Sequence, residues 1–109
     1  MRTRTLVFTT LVALLLCAGC RSQSDQQTVE RIRVEVAKVL GKSPAEIDVA
    51  KPLGAQGAEE LHIVEIVRAV ERAFEVQIPE SAVGKNLAEV RKTLTVEGLA
   101  DIVSKQKQN

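Results

Sequence analysis

The chain holds very little with which to do covalent chemistry. Among its 109 residues two are cysteines and one is a histidine, and tryptophan and tyrosine are absent. Cys17 and Cys20 both lie near the N-terminus, so no disulfide framework and no thiolate metal cluster can be built across the rest of the chain. With His62 as the sole imidazole, any Ser-His-Asp arrangement would have to centre on it, and no glycine-rich phosphate loop follows a strand. These absences argue against an enzyme. Charge of one sign is lacking too. Lysine and arginine number 15 against 14 acidic residues, and removing Arg2 and Arg4 with an N-terminal leader leaves 13 against 14, a net charge of −1 with His62 neutral. Such a balance offers no electrostatic footprint for nucleic acid.

What is present begins with an N-terminal leader pattern. Arg2 and Arg4 precede an apolar run from Leu6 to Leu16, and Cys17-Ala18-Gly19-Cys20 follows. A basic start, a short apolar run and small residues before a cut make a secretory signal. The run falls short of the about 20 apolar residues that span a bilayer. Its last four residues resemble a bacterial lipobox, with Cys17 where a leucine usually stands. The resemblance implies cleavage over residues 1–19 and lipidation of Cys20. The other reading is an ordinary cleaved signal with an incidental cysteine. Acyl chains bind membranes with about 0.8 kcal/mol per buried methylene, so a multiply acylated Cys20 would act as a lasting anchor. Arg21 stands where an aspartate would indicate inner-membrane retention in some bacteria, so the expected location is exported, at the outer membrane and facing the periplasm. Residues 20–27 are polar and read as a tether, leaving 28–109 as one small domain.

Within that domain the periodicity is helical. Val29, Ile32, Val36, Val39 and Leu40 make a stripe that Gly41 ends, with Asp25 or Thr28 as its cap. Ser43-Pro44-Ala45-Glu46 has the form of a capped single turn. Ile47, Val49 and Leu53 should pin the long first loop to the core. A central helix is expected from about Ala58 to Glu75, burying Leu61, Val64, Val67, Val70 and Phe74, with Ile63, Ile66, Ala69 and Ala73 widening the stripe. Its exposed side mixes Glu65, Glu71 and Glu75 with Arg68 and Arg72, and the pairs Glu65–Arg68 and Arg72–Glu75 have the spacing to bridge. Pro79 to Ala82 should start a short helix, and Thr95 should cap a last one from Val96 to about Lys105.

Gly57 to Pro79 reads G-A-E-E-L-H-I-V-E-I-V-R-A-V-E-R-A-F-E-V-Q-I-P. The stretch resembles the second helix of acyl carrier proteins, which carry G-A-D-S-L-D, an apolar helix, a phenylalanine and an I-P step. The resemblance implies an all-α, acyl-carrier-like four-helix bundle with a long first loop and a short third helix. In that family the motif serine receives phosphopantetheine, and Glu60 replaces it here, flanked by Glu59, Leu61 and His62. A carboxylate in that place would form a labile acyl phosphate instead of a stable phosphodiester, so phosphopantetheine is not expected. Ser43, Ser81 and Ser104 lie outside any D-S-L context.

Glu60 then has two readings. Negative charge in a helix's first turn is worth about 0.3–1 kcal/mol, which accounts for Glu59 and Glu60 without a function. Alternatively, Glu60 presents a fixed charge where a carrier's phosphodiester would lie. His62, three residues from both Glu59 and Glu65, lacks the three or four ligands of a closed metal site and reads as a solvated side chain. Gly84 to Lys92 is an insertion relative to the family's spacing and is expected to be a packed loop, with an extra turn bearing Leu87, Val90 and Leu94 as the alternative. The combined expectation is a membrane-anchored, non-catalytic interaction module that meets a protein partner through Glu65, Arg68 and Arg72. The alternatives are a genuine phosphopantetheine-dependent carrier and a lipoprotein that binds an acyl chain in its aliphatic interior.

Overall fold

A computed structural model describes residues 26–108. The leader, Cys20 and most of the tether lie outside them. Helix α1 occupies 26–40, so Gln26 and Gln27 are helical where the tether was expected to continue, and Thr28 is inside the helix instead of capping it. Its C-terminus closes as the glycine signal requires. Gly41 takes φ +68°, its N–H reaches the Lys38 carbonyl, and the Lys42 N–H reaches that of Ala37 at 2.9 Å, a Schellman motif.

The first loop runs from Gly41 to Glu59 and is packed through two 3-10 turns, Pro44–Glu46 and Leu53–Gln56. Ile47 and Leu53 are fully buried beneath it, each burial worth about 1.5–3 kcal/mol. Polar side chains tie down its backbone. Arg33 of α1 donates Nε–H to the carbonyls of Pro44 and Ile47 at 2.8 and 3.1 Å. Gln56 accepts from the Asp48 N–H and donates to the carbonyls of Asp48 and Lys51. The loop's path is therefore held by side chains as well as by burial, which its length demands.

Helix α2 spans Glu60–Phe74, α3 Glu80–Val83, α4 Leu87–Thr93 and α5 Val96–Gln108. The described residues are all-helical, with five α-helices where four were expected. The additional one is α4, in the segment expected to be a loop. Asn86 makes it: its Oδ1 accepts the N–H groups of Ala88 and Glu89 at 3.0 and 3.4 Å, and Val90 and Leu94 bury on the core. Thr95 caps α5 as expected, its Oγ1 accepting the Gly98 N–H at 2.9 Å.

Helix α2 buries Val70 and Phe74 as expected, but its phase turns toward Ile63 and Ile66, expected only to widen the stripe, and away from Leu61. Ile63, Ile66, Val70 and Phe74 face the core, Val64 and Val67 are half-buried, and Leu61 is 69% exposed. Both sets of residues satisfy helical spacing, and packing against α1, the first loop and α4 chooses between them. Among the described residues, every side chain of the hydrophobic core, including those partly buried against it, lies between Val29 and Val103. Residues 21–109 therefore contain the whole of the core formed by the described residues.

Candidate functional site

The N-terminus of α2 is set by a short succession of backbone devices. Gly57 follows the second 3-10 turn at φ +101°, a conformation that favours glycine, and turns the chain back so that the Ala58 N–H meets the Leu53 carbonyl at 3.1 Å. Ala58 is fully buried. Glu59 is extended at φ −95°, ψ 175°, and the helix begins with Glu60.

His62 completes this cap. Its Nδ1 accepts the Glu59 N–H at 2.9 Å, the reach-back that a Glu or Gln at the third helical position usually makes. His62 is half-buried, and the expectation of a merely solvated ring is corrected to a structural one. An Nδ1 that accepts carries no proton, so the neutral ring has its hydrogen on Nε2.

Helix α4 locks the same segment from the other side. Arg91 donates Nε–H to the Ala58 carbonyl at 3.1 Å, and the Leu53 N–H bonds the Leu94 carbonyl at 2.9 Å. Gly54 permits the close approach: a Cβ there would sit 2.5 Å from the Arg91 carbonyl oxygen. Helix α4 is therefore a structural support for the start of α2.

Glu60 projects from this braced corner. It is exposed, and among the described residues its carboxylate has no hydrogen bond or ion pair. Leu61 beside it is exposed as well. A single exposed leucine is ordinary on a protein surface, and here it sits where the helical period had it buried. Glu65, Arg68 and Arg72 continue down the exposed side of α2, but the expected pairs do not form. The ion pairs of the described residues are Arg33–Glu30, Lys38–Glu35 and Lys105–Asp101. For Arg72–Glu75 the reason is conformational. Glu75 takes φ +54°, ψ 47°, which carries its side chain off the helical register. Glu71 is occupied by the chain that leaves α2, accepting the Ile78 N–H at 2.8 Å.

Sequence reasoning missed three parts of this site: the His62 cap, the Arg91 brace and the exposure of Leu61. The first was readable, because an acceptor at the third position after an acidic cap is a capping-box signature. Arg91 left no such signal, since its bond spans 33 residues.

A cleft of about 270 Å³ opens between α2, α3 and the start of α4, lined by Val64, Val67, Ile78, Val83 and Leu87, with Arg68, Glu71 and Lys85 at its rim. Among the described residues no group of three or more His, Cys, Asp or Glu could hold a metal ion, and no helix is long and apolar enough to cross a membrane.

Comparison with protein families finds a match over residues 30–94 to the family described as Phosphopantetheine attachment site. The match takes in most of α1, the first loop, α2, α3 and all of α4. No curated protein and no solved structure matches the chain.

Proposed function

The chain belongs to the phosphopantetheine attachment family, and from that premise we propose that it is a carrier-like domain that does not carry, a non-catalytic interaction module tethered to a membrane through Cys20. The observation behind this reading is Glu60. It opens α2 in the place of the motif serine, exposed and without an internal partner, and residues 57–62, G-A-E-E-L-H, contain no hydroxyl. The attached group needs a hydroxyl for its phosphodiester, so the residues at this site do not fit it.

The serines of the described residues are badly placed. Ser43 is exposed before the first 3-10 turn, Ser81 is exposed on α3, and Ser104 donates its hydroxyl to the Ala100 carbonyl at 3.0 Å. None stands at the mouth of α2. His62 is committed to the Glu59 amide and is not a free base. The leader and C-A-G-C sequence support export and lipidation of Cys20, with Arg21 favouring the outer membrane. Export also separates the folded domain from cytoplasmic coenzyme A.

A second reading, a binder of acyl chains, draws on the apolar cleft between α2 and α3. At about 270 Å³ it falls just below the range of about 300–1,000 Å³ usual for small-molecule pockets. That size favours the interaction module.

Incubation of residues 21–109 with coenzyme A and a phosphopantetheinyl transferase, followed by intact mass, tests the proposal. The wild-type domain should stay unmodified. A wild-type adduct would contradict the reading, and an adduct on Glu60→Ser alone would show that the hydroxyl is all the site lacks.

A further inference from the structure

The end of the domain at which the chain enters α1 carries a group of cations with little to balance them. Arg31 of α1 and Lys107 of α5 both lie over the ring of Phe74, 4.9 and 5.1 Å from its centroid. Arg31 and Arg72 line one shallow groove between α1 and α2. Arg72 and Arg68 line the adjoining open depression of about 680 Å³, next to Gln106. The four are exposed and contiguous, and none takes part in an ion pair among the described residues.

This arrangement opposes folding. Arg68 and Arg72 are like charges one turn apart on a helix, a destabilising spacing. Two carboxylates close by are already engaged: Glu71 accepts the Ile78 N–H at 2.8 Å and Glu35 pairs with Lys38 at 3.3 Å. Glu30, next to Arg31, pairs with Arg33, which leaves the exposed Glu65 and Glu75 as the unpaired acids of α1 and α2 near these cations among the described residues, and Asp25 precedes α1 in the sequence. Elsewhere the cations are tied or meet at most in twos. Arg33 and Lys105 are in ion pairs, Lys42 and Arg91 donate to carbonyls, Lys51 lines a groove with Arg33, Lys92 one with Arg91, and Lys85 shares the cleft beside α3 with Arg68. In a mature chain of net charge −1, four free cations on one surface mark a local site and not a general basicity.

Their position indicates what they meet. Arg31 is five residues along α1 from Gln26, about 7–8 Å of helix. Between Cys20 and Gln26 even a fully extended chain spans at most about 20 Å. A domain anchored at Cys20 therefore keeps this surface close to the bilayer. We infer that the patch of Arg31, Arg68, Arg72 and Lys107 is a docking surface for anionic phospholipid headgroups, which sets the anchored domain down on its α1-entry end and leaves Glu60 facing away. The inference rests on the anchored reading for its orientation, while the affinity of the patch is a property of the unanchored domain.

Unanchored residues 21–109 should be co-sedimented with vesicles of phosphatidylcholine alone and with about a third phosphatidylglycerol, at low and physiological salt. Each cation near an anionic surface contributes about fivefold to partitioning. The domain should bind the anionic vesicles at low salt, ignore the neutral ones, and release as salt rises. Arg68→Gln with Arg72→Gln should lower binding by about 25-fold on the same scale. Neutralising Lys51 and Lys92 together removes the same charge away from the patch and should change binding far less. Equal loss from both sets, or equal binding to both vesicles, would overturn the inference. So would indifference to vesicles together with binding to polyglutamate, which would make the surface a site for an acidic protein. The assay contains no acyl anchor, so it can fail or succeed independently of the mass of Cys20.

Discussion

Gly54→Ala is the substitution that most directly probes how α4 supports the start of α2. The alanine Cβ would lie 2.5 Å from the Arg91 carbonyl oxygen and 3.0 Å from its carbon, both backbone atoms that no rotamer change can move. Relief requires α4 to back away from the second 3-10 turn, stretching the Leu53 N–H to Leu94 carbonyl bond and the Arg91 to Ala58 bond. Overpacking costs about 1–3 kcal/mol and a weakened hydrogen bond about 1 kcal/mol more. The stiffer unfolded chain returns about 0.4–1 kcal/mol, because Gly54 is not at positive φ and alanine is allowed there. The expected net loss is about 2 kcal/mol, or about 8–16 °C in Tm for a domain of this size. Thermal and urea unfolding of residues 21–109, followed by circular dichroism, measure it. Gly41→Ala serves as the comparison, since it has φ +68° but no atom within 4 Å and carries only backbone strain, about 1–2 kcal/mol. A Gly54→Ala domain as stable as wild type would refute the packing of α4 against the turn.

Further substitutions address the local devices one at a time. Asn86→Ala should remove about 1 kcal/mol and speed amide exchange through α4 ahead of the other helices, because its side chain satisfies two first-turn N–H groups. His62→Ala should cost about 1 kcal/mol in urea unfolding, while His62→Gln, which can make the same reach-back, should cost less than half as much. Glu75→Gly should raise stability by about 0.5–1 kcal/mol, since Glu75 is the non-glycine residue held at positive φ among the described residues; a loss of stability there would show that the carboxylate makes a contact that outweighs the strain.

Much of the fold was legible in the sequence wherever a local rule and the hydrophobic period agreed. Gly41 ended α1, Thr95 capped α5, and the Ser43–Glu46 turn formed where its proline and glutamate placed it, with the Glu46 carboxylate accepting the Ser43 N–H at 3.3 Å. The difficulties arose where two local patterns competed. Helix α2 is apolar on so many sides that Leu61-Val64-Val67 and Ile63-Ile66-Ala69 both adjoin Val70 and Phe74 at helical spacing, and only the neighbours decide which set is buried. For α4, the Leu87-Val90-Leu94 stripe favoured a helical turn, but the spacing of the resembling family favoured a loop. The local chemistry prevailed. Within the site, contacts close in sequence such as Glu59–His62 had a recognisable signature, whereas the Arg91–Ala58 and Leu53–Leu94 bonds join segments that only the finished packing brings together.

The central claim, that a carrier-family domain stands here without its prosthetic arm, is tested most directly by the intact mass of the protein purified from the cells that make it, with peptide mapping of every added group. The account predicts acyl groups at Cys20 and an unmodified peptide containing Glu60. A phosphopantetheine adduct on any residue would contradict it and make the protein a working carrier.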